Sequence, residues 1–330
     1  MNILVVDVAA SESGAVTILN NYYDEYLRDI DNHYYFCVST VDLYCKDNIT
    51  VLKYPWVKKS WFHRLWFDTI VCYKLIKSLK INKIVSLQNT LIRSKNIETL
   101  LYIHMSLPFV DYKYRISENL KMWFYQNIID KFIKKSAKRA NHIVVQTQWM
   151  KNAIVTKYNI HKNKIEVIPP PINIQISKKF SNESWDRSFI YPATGFPYKN
   201  HITLFRAVKS LKECGTHDFI VHLTLAENEL PAECKQIYKE ISDIIDCHGK
   251  YSREDLIEMY SKSILVFPSF IETFGLPLLE AKECDDYVVA ADTAFAREIL
   301  QSYKRRSFFE YKNYEELASI MKKFIENEFT

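Results

Sequence analysis

The stretch ILVFPSFIETFGLPLLEA, residues 264–281, decides how this chain folds. Ile264–Phe267 are four apolar residues with no polar alternation, the pattern of a strand covered on both faces in a parallel sheet. Pro268–Ser269 closes the strand, and a loop holding Glu272 follows. Pro277 then stands where a helix starts, a place that suits proline because its missing N–H would be unpaired there. The free amides around Thr273–Leu276 point out of that helix N-terminus, which is a natural anion site.

The same strand–loop–helix grammar runs outward in both directions. NILVVDV (2–8) predicts a buried first strand, and Val16, Leu19, Tyr23, Tyr26, Leu27 and Ile30 give the next segment helical spacing. Further strands are expected at 34–39, 83–87, 100–105, 141–147 and 165–168, with helices over 64–80, 117–139 and from Gln148. In the second half, strands are expected at 188–191, 219–225, 244–248, 264–269 and 287–292, alternating with helices at 200–213, 231–243, 253–261, 277–284 and 313–328. This alternation means two doubly wound α/β domains. Pro169–Pro171 is the natural joint, because three prolines continue neither a helix nor a central strand. The expected division is 1–170, then 171–312, with 313–330 as a closing helix that crosses back onto the first domain. Two such domains facing each other across a cleft bind ligand there, at the carboxyl ends of the strands.

Composition narrows the function. Of 330 residues, 48% are hydrophobic and 25% charged, which excludes a disordered chain. The net charge of +5 is too small for a dedicated nucleic-acid binder but suits an anionic ligand or a loose contact with anionic lipid. Seven cysteines without a C-x-x-C pair offer neither a zinc ribbon nor a thioredoxin motif, and read as reduced thiols in a cytoplasmic protein. The N-terminus reads as a strand rather than a signal peptide, and no apolar run approaches a membrane span, so a soluble or peripheral protein is expected. With only five glycines, several Gly-rich phosphate loops are excluded, and no G-x-G-x-x-G follows the first strand.

Glu272 lies in the loop before the helix and Glu280 about one turn into it, so both can face one ligand. Carboxylates accept hydrogen bonds from hydroxyls well, which makes a sugar a sensible target. The pattern P-S-x-x-E-x-F-G-x-x-x-x-E-A at 268–281 resembles the E-x7-E signature of retaining GT-B glycosyltransferases of the family 4, or group 1, type. The resemblance extends in matching order over most of the chain. It implies that Glu272 contacts the donor sugar and that Glu280 binds the ribose of the nucleotide. Thr273, Phe274, Gly275 and Leu276 would then form the phosphate and sugar loop. Without these companions, two solvated helix glutamates would be the simpler reading.

Other segments fit the same resemblance. In YPATGFPYKNHITLFRAV (191–208), Lys199 precedes a helix and is a mobile point charge suited to a diphosphate. The family also often has an Arg a few residues earlier, where this chain has Ala193, Thr194 and Gly195. His104, at the end of a strand, matches a histidine placed near the transferred sugar, although a lone histidine also reads as a core residue. Ser13 and Gly14 resemble the first loop that approaches the donor phosphates. His248, Gly249 and Tyr251, in IIDCHGKYSREDLIEMYSKS (244–263), fall where the family recognises the nucleobase, and equally read as an ordinary turn. After Glu280 the family's Gly and Pro are missing, so Asp285 or Asp286 is expected to take a positive φ.

The resemblance thus implies a retaining hexosyltransferase that moves a sugar from a UDP- or GDP-sugar to a saccharide or lipid-linked saccharide acceptor. The expected setting is the assembly of a bacterial surface polysaccharide such as capsule, O-antigen or exopolysaccharide. The expected mechanism is metal-independent, the nucleotide-sugar is a substrate, and neither a cofactor nor nucleic acid is expected. Two alternatives stay open: a non-catalytic sugar-nucleotide-binding subunit and a GT-B sugar-nucleotide epimerase. YPWVKKSWFHRLWF (54–67) and ENLKMWFYQNIIDKFIKKSAKR (118–139) mix aromatics with basic residues. The first reads as peripheral contact with the inner face of the cytoplasmic membrane, as an acceptor groove, or as ordinary packing, and the second as a mainly structural helix with lipid contact as the alternative.

Overall fold

The computed structural model describes residues 1–11, 13–170, 176 and 178–327. The chain divides into two compact units, Met1–Pro171 and Ile172–Thr330. Pro169 and Pro170 at the joint are in neither helix nor strand; Pro171, also expected there, lies outside the described residues, as do 172–175 and 177.

The first unit is built on a parallel sheet of seven strands: β1 (Asn2–Asp7), β2 (His33–Val38), β3 (Ile49–Lys53), β4 (Lys83–Ser86), β5 (Glu98–Tyr102), β6 (His142–Val145) and β7 (Ile165–Val167). Their spatial order is β3-β2-β1-β4-β5-β6-β7, so the winding reverses between β1 and β4. Strand side chains alternate faces. Ile3 and Val5 pack with Ile18, Leu19 and Tyr23 of helix α1 (Ser13–Leu27), while Leu4 and Val6 pack on the other face with Phe67 and Cys72. On that second face run α2 (Trp61–Trp66) and α3 (Cys72–Ser78), joined by a π turn at Phe67–Val71. The long helix expected over 117–139 is α4 (Leu120–Phe124), a second π turn at Tyr125–Ile129, and α5 (Asp130–Arg139). Helix α6 (Gln148–Tyr158) completes the unit.

The second unit carries six parallel strands: β8 (Ser188–Tyr191), β9 (Ile220–Leu223), β10 (Ile245–Cys247), β11 (Ser263–Phe267), β12 (Val288–Ala291) and β13 (Arg306–Phe309). The order β10-β9-β8-β11-β12-β13 reverses between β8 and β11. Both central strands are buried along their whole length, as their unbroken apolar runs require. The helices are α7 (His201–Glu213), α8 (Lys235–Ile241), α9 (Arg253–Tyr260), α10 (Leu276–Glu283), α11 (Ala294–Ile299) and α12 (Tyr314–Ile325). Helix α12 packs against α7 within this unit.

Several expected boundaries move. The segment 100–105 pairs as 98–102, and only the Ile103 amide still reaches across, to Val144 O at 2.9 Å. The helix expected over 231–243 begins as a 3-10 turn at Ala232–Cys234 behind Pro231. β3, β13 and α11 were not expected; the two strands are edges of their sheets, where one-sided pairing needs no continuous apolar run.

The turn after Glu280 solves its missing glycine with Asp285, whose φ is +60°. The amides of Asp285 and Asp286 donate to Lys282 O at 3.1 Å and Ala281 O at 3.0 Å. That pair of bonds is a Schellman closure, normally built with Gly at the left-handed position. Asp286 is fully buried, and its Oδ2 accepts from the Leu265 amide of β11 at 3.1 Å.

Candidate active site

The loops that follow β8 and β11 meet where the second sheet reverses its order, the place where open α/β sheets bind ligands. Backbone and side-chain bonds stitch them together. Tyr191, the fully buried last residue of β8, donates from its hydroxyl to Lys199 O at 2.6 Å and lies 2.9 Å from Ser269 Oγ after β11. The Phe270 amide donates to Tyr198 O at 3.1 Å. Asn200, with φ +60°, donates from Nδ2 to Pro268 O at 3.2 Å and to Tyr311 O at 2.6 Å. Gly195, in the same loop, has the Glu229 carbonyl oxygen 2.7 Å from where a Cβ would stand, so no larger residue fits without movement.

This frame brings Lys199 and Glu272 together. Lys199 Nζ donates to Glu272 Oε1 in an ion pair, although the two residues lie 73 positions apart in sequence. The side chains are 16% and 17% exposed, buried enough to strengthen the pairing and open enough to be reached from solvent. The Tyr198 ring lies beside them with Nζ 5.8 Å from its centre, and burial followed by the charge of Glu272 pushes its phenol up.

Glu272 leads directly into α10. Gly275 caps that helix with φ +86°, and an added Cβ would stand 3.2 Å from Leu278 Cδ1 and 3.5 Å from Phe295 Cδ2. Glycine is therefore favoured by the backbone angle, and an added Cβ would also press on the Leu278 side chain. Phe274 is buried, whereas Thr273 and Leu276 are half-buried beside the helix start. Leu276 is the first helical residue, so Pro277 sits one position further in than expected.

Glu280 follows on the same helix and is buried. Burial raises its carboxyl above the ordinary glutamate range, opposed by Arg253 and by the Tyr260 hydroxyl. Tyr260 Oη donates to Oε2 at 3.3 Å, and Arg253 Nη2 lies 3.8 Å from Oε1. Such a carboxyl is poorly compensated within the protein, and hydroxyl donors from a ligand would improve its position. Arg253 opens α9, directly after the turn that carries His248, Gly249 and Tyr251. The His248 and Tyr251 rings stack with centres 4.0 Å apart and planes 10° apart. Gly249 donates its amide to Leu225 O at 3.2 Å. The second unit thus gathers Lys199 with Glu272, and Glu280 with Arg253 and Tyr260 of α9.

In the first unit, His104 lies two residues beyond β5 rather than at its end. Its amide donates to Asn89 Oδ1 at 2.7 Å, and burial pulls the half-buried imidazole down to about 4, so the ring is neutral at pH 7. Ser13 and Gly14 are the first two residues of α1; Gly14 is exposed, and no atom of its surroundings would meet an added Cβ.

Sequence reading missed Tyr191, Ser269, Asn200, Arg253 and Tyr260. Tyr191 and Tyr260 look like core aromatics, and nothing in their spacing reveals a polar partner. It also missed Asp7, a charge set inside the apolar run of β1. Burial raises Asp7 to about 7 against the pull of the Ala10 amide, Arg64 and Lys58. Among the described residues, no group of three or more His, Cys, Asp or Glu could hold a metal ion, and all seven cysteines are free.

Comparison with known proteins agrees with this architecture. The family model described as glycosyl transferases group 1 matches residues 173–330, and that described as glycosyltransferase family 4 matches residues 27–176. The chain is 24% identical over 224 residues to the O-antigen chain mannosyltransferase RfbU of Salmonella typhimurium. That match covers 64% of this chain and spans only 60% of the relative's own length. Sucrose-phosphate synthase from Thermosynechococcus elongatus superposes with a TM-score of 0.72 at 14% identity, over 98% of this chain and 90% of that one. Anabaena HepE in complex with UDP-glucose superposes with a TM-score of 0.67 at 15% identity, over 99% and 90% of the two chains. Two family models that follow one another along the chain, on two Rossmann-like units in GT-B order, place this protein in the group 1 family of GT-B glycosyltransferases.

Proposed function

We propose that the protein is a retaining glycosyltransferase that moves a sugar from a UDP- or GDP-sugar to a saccharide or lipid-linked saccharide acceptor in bacterial surface polysaccharide assembly. The observation that carries this reading is the Lys199–Glu272 pair at the strand-order reversal of the second sheet. Lys199 exchanges Glu272 for the donor diphosphate. The freed Glu272 accepts hydrogen bonds from sugar hydroxyls, and the start of α10, Thr273–Leu276, receives the phosphates. Glu280 accepts the ribose hydroxyls, while His248, Gly249 and Tyr251 face the base. Ser13 and Gly14 approach donor phosphates, and His104 contacts a donor hydroxyl or orients the acceptor.

In this reading the bond from the anomeric carbon to the diphosphate oxygen breaks as the acceptor oxygen bonds to the same face of that carbon. The transition state is oxocarbenium-like. The acceptor proton goes to the leaving diphosphate oxygen, and the products are the glycoside and the nucleoside diphosphate. Lys199 and the helix amides stabilise the charge that grows on the leaving group. No resident metal or cofactor takes part. The protein works at the inner face of the cytoplasmic membrane, as a peripheral protein; no described helix is long and apolar enough to cross a membrane.

The test is thermal stabilisation of wild type and Glu280→Ala by UDP, GDP, CMP, ADP and their sugars, without added metal. Wild type is expected to respond to one base family, by about 2.7 kcal/mol at a ligand concentration 100 times Kd. The response is expected to be lost in Glu280→Ala. No shift with any nucleotide overturns the reading. Epimerised donor formed without an acceptor replaces transfer with epimerisation.

A further inference from the structure

Helix α2 exposes its large apolar side chains instead of burying them. Trp61 is 60% exposed, Phe62 84%, Leu65 59% and Trp66 59%. The stripe formed by Phe62 and Trp66 continues through Ile70, inside the π turn, to Tyr73 just beyond it, both also exposed. The extra residue of a π turn lets such a stripe keep its face along a longer helix. The second π-containing helix lies alongside, because the Trp61 ring packs against Phe124 with centres 5.6 Å apart. Exposed Leu120 and Phe132 fall on the same i+4 row of that helix as Phe124.

The segments that carry this apolar surface are dominated by one sign of charge. Residues 58–80 and 120–139 hold twelve Lys and Arg against two Asp, in a chain whose net charge is only +5. Both acids are already paired, Asp68 with Arg64 and Asp130 with Lys157, each at 2.9 Å. Lys131, Lys134 and Lys135 are exposed beside Phe132, and Lys77 extends over the Tyr73 ring at 4.5 Å.

We infer that this face of the first unit docks on an anionic lipid bilayer, with Trp61, Phe62, Leu65 and Trp66 entering the headgroup region and the lysines on lipid phosphates. A second copy of the chain fits poorly, since it would bring one basic rim against another. An anionic bilayer satisfies both features at once: aromatic rings suit the boundary of water and hydrocarbon, and each basic residue near the surface is worth about a fivefold gain in binding. The inference rests on the peripheral placement proposed above and names the surface responsible. It does not depend on the donor chemistry.

The test is flotation of the full chain with vesicles of phosphatidylcholine alone or mixed with phosphatidylglycerol, at low and high salt. Wild type is expected to float only with the anionic vesicles and to be released by salt. Phe62→Ser/Trp66→Ser and Lys131→Glu/Lys135→Glu are each expected to weaken flotation tenfold or more. Both variants should retain the wild-type melting temperature and nucleotide response, because these side chains are exposed and lie outside the donor residues. No flotation at low salt overturns the inference, and so does flotation that the aromatic pair does not affect. Self-association that the aromatic pair abolishes, without vesicle binding, overturns it in favour of a second copy. Vesicle binding without any nucleotide response leaves this inference standing and removes the glycosyltransfer reading.

Discussion

Each sheet reverses its strand order at one place, between β1 and β4 in the first unit and between β8 and β11 in the second, and the residues seated there differ in kind. At the first reversal Asp7 closes β1, is 1% exposed, and spends Oδ1 on the Ala10 amide at 3.1 Å. At the second, the strand ends in Tyr191, which ties down the loop that presents Lys199 to Glu272. One carboxylate is sealed and serves its own loop, whereas the other is paired with a cation that solvent can reach. The fold supplies equivalent positions, and accessibility decides which of them can handle a charged ligand.

Removing the accessible cation is the strongest way to break that contrast. Lys199→Ala is expected to lower kcat for transfer by about 10²–10³, the usual cost of losing one donor to a developing anion. Lys199→Arg should recover part of it by keeping the charge. Steady-state kinetics with a saturating acceptor checks this. A Lys199→Ala enzyme within threefold of wild type would mean that the pair is only a loop clasp, no different in role from the Asp7 bond.

The sealed carboxylate makes the opposite prediction, in stability. The native state raises Asp7 to about 7 from its ordinary value of 3.8, so between those two values the folded protein holds a proton that the unfolded chain has released. Stability from this group is therefore fully present below about 3.8 and is lost as pH rises through about 7, by roughly 2–4 kcal/mol. Asp7→Asn keeps the acceptor for the Ala10 amide and removes the titration. Urea midpoints at pH 5 and pH 8 should fall less in the variant than in wild type. Parallel pH profiles would show that Asp7 is ionised in the fold after all.

These two regions also differ in how far they could be read from sequence. The strand–loop–helix at 264–281 was legible because every local signal agrees: an apolar run, a proline stop, a left-handed glycine and a proline at the helix start. Lys199, Glu272 and Glu280 were singled out because their surroundings matched a known pattern. Tyr191 and Arg253 were not, because their roles come from partners brought near only by folding: Ser269 is 78 positions from Tyr191, and Glu280 is 27 from Arg253. Edge strands β3 and β13 escaped for a similar reason, since their pairing partner, rather than their own composition, makes them strands. The basic, aromatic character of 54–67 was legible too, but its exposure was not, because an amphipathic stripe reads the same whether it faces a core or a bilayer.

The smallest effect concerns the turn that links α10 to β12, where adjacent aspartates do different work. Asp285 is there for its backbone: it takes φ +60° and completes the Schellman closure that a glycine would make at lower cost. Its side chain offers little in return, since Arg305 Nη1 stands 3.8 Å from Oδ2 in a pair that is 34% and 47% exposed. Asp285→Gly should therefore leave stability unchanged or raise it by up to about 1 kcal/mol, while Asp285→Ala should lower it by about 1 kcal/mol. Asp286→Ala is the control with the larger loss, because it empties a fully buried position and removes one of the two acceptors of the Leu265 amide, which keeps only Tyr287 O at 3.0 Å. If Asp285→Gly proves as damaging as Asp286→Ala in urea unfolding, the carboxylate of Asp285 matters beyond its backbone angle. The carboxyl end of α10 would then belong with the charged residues of the site rather than with the scaffold beneath it.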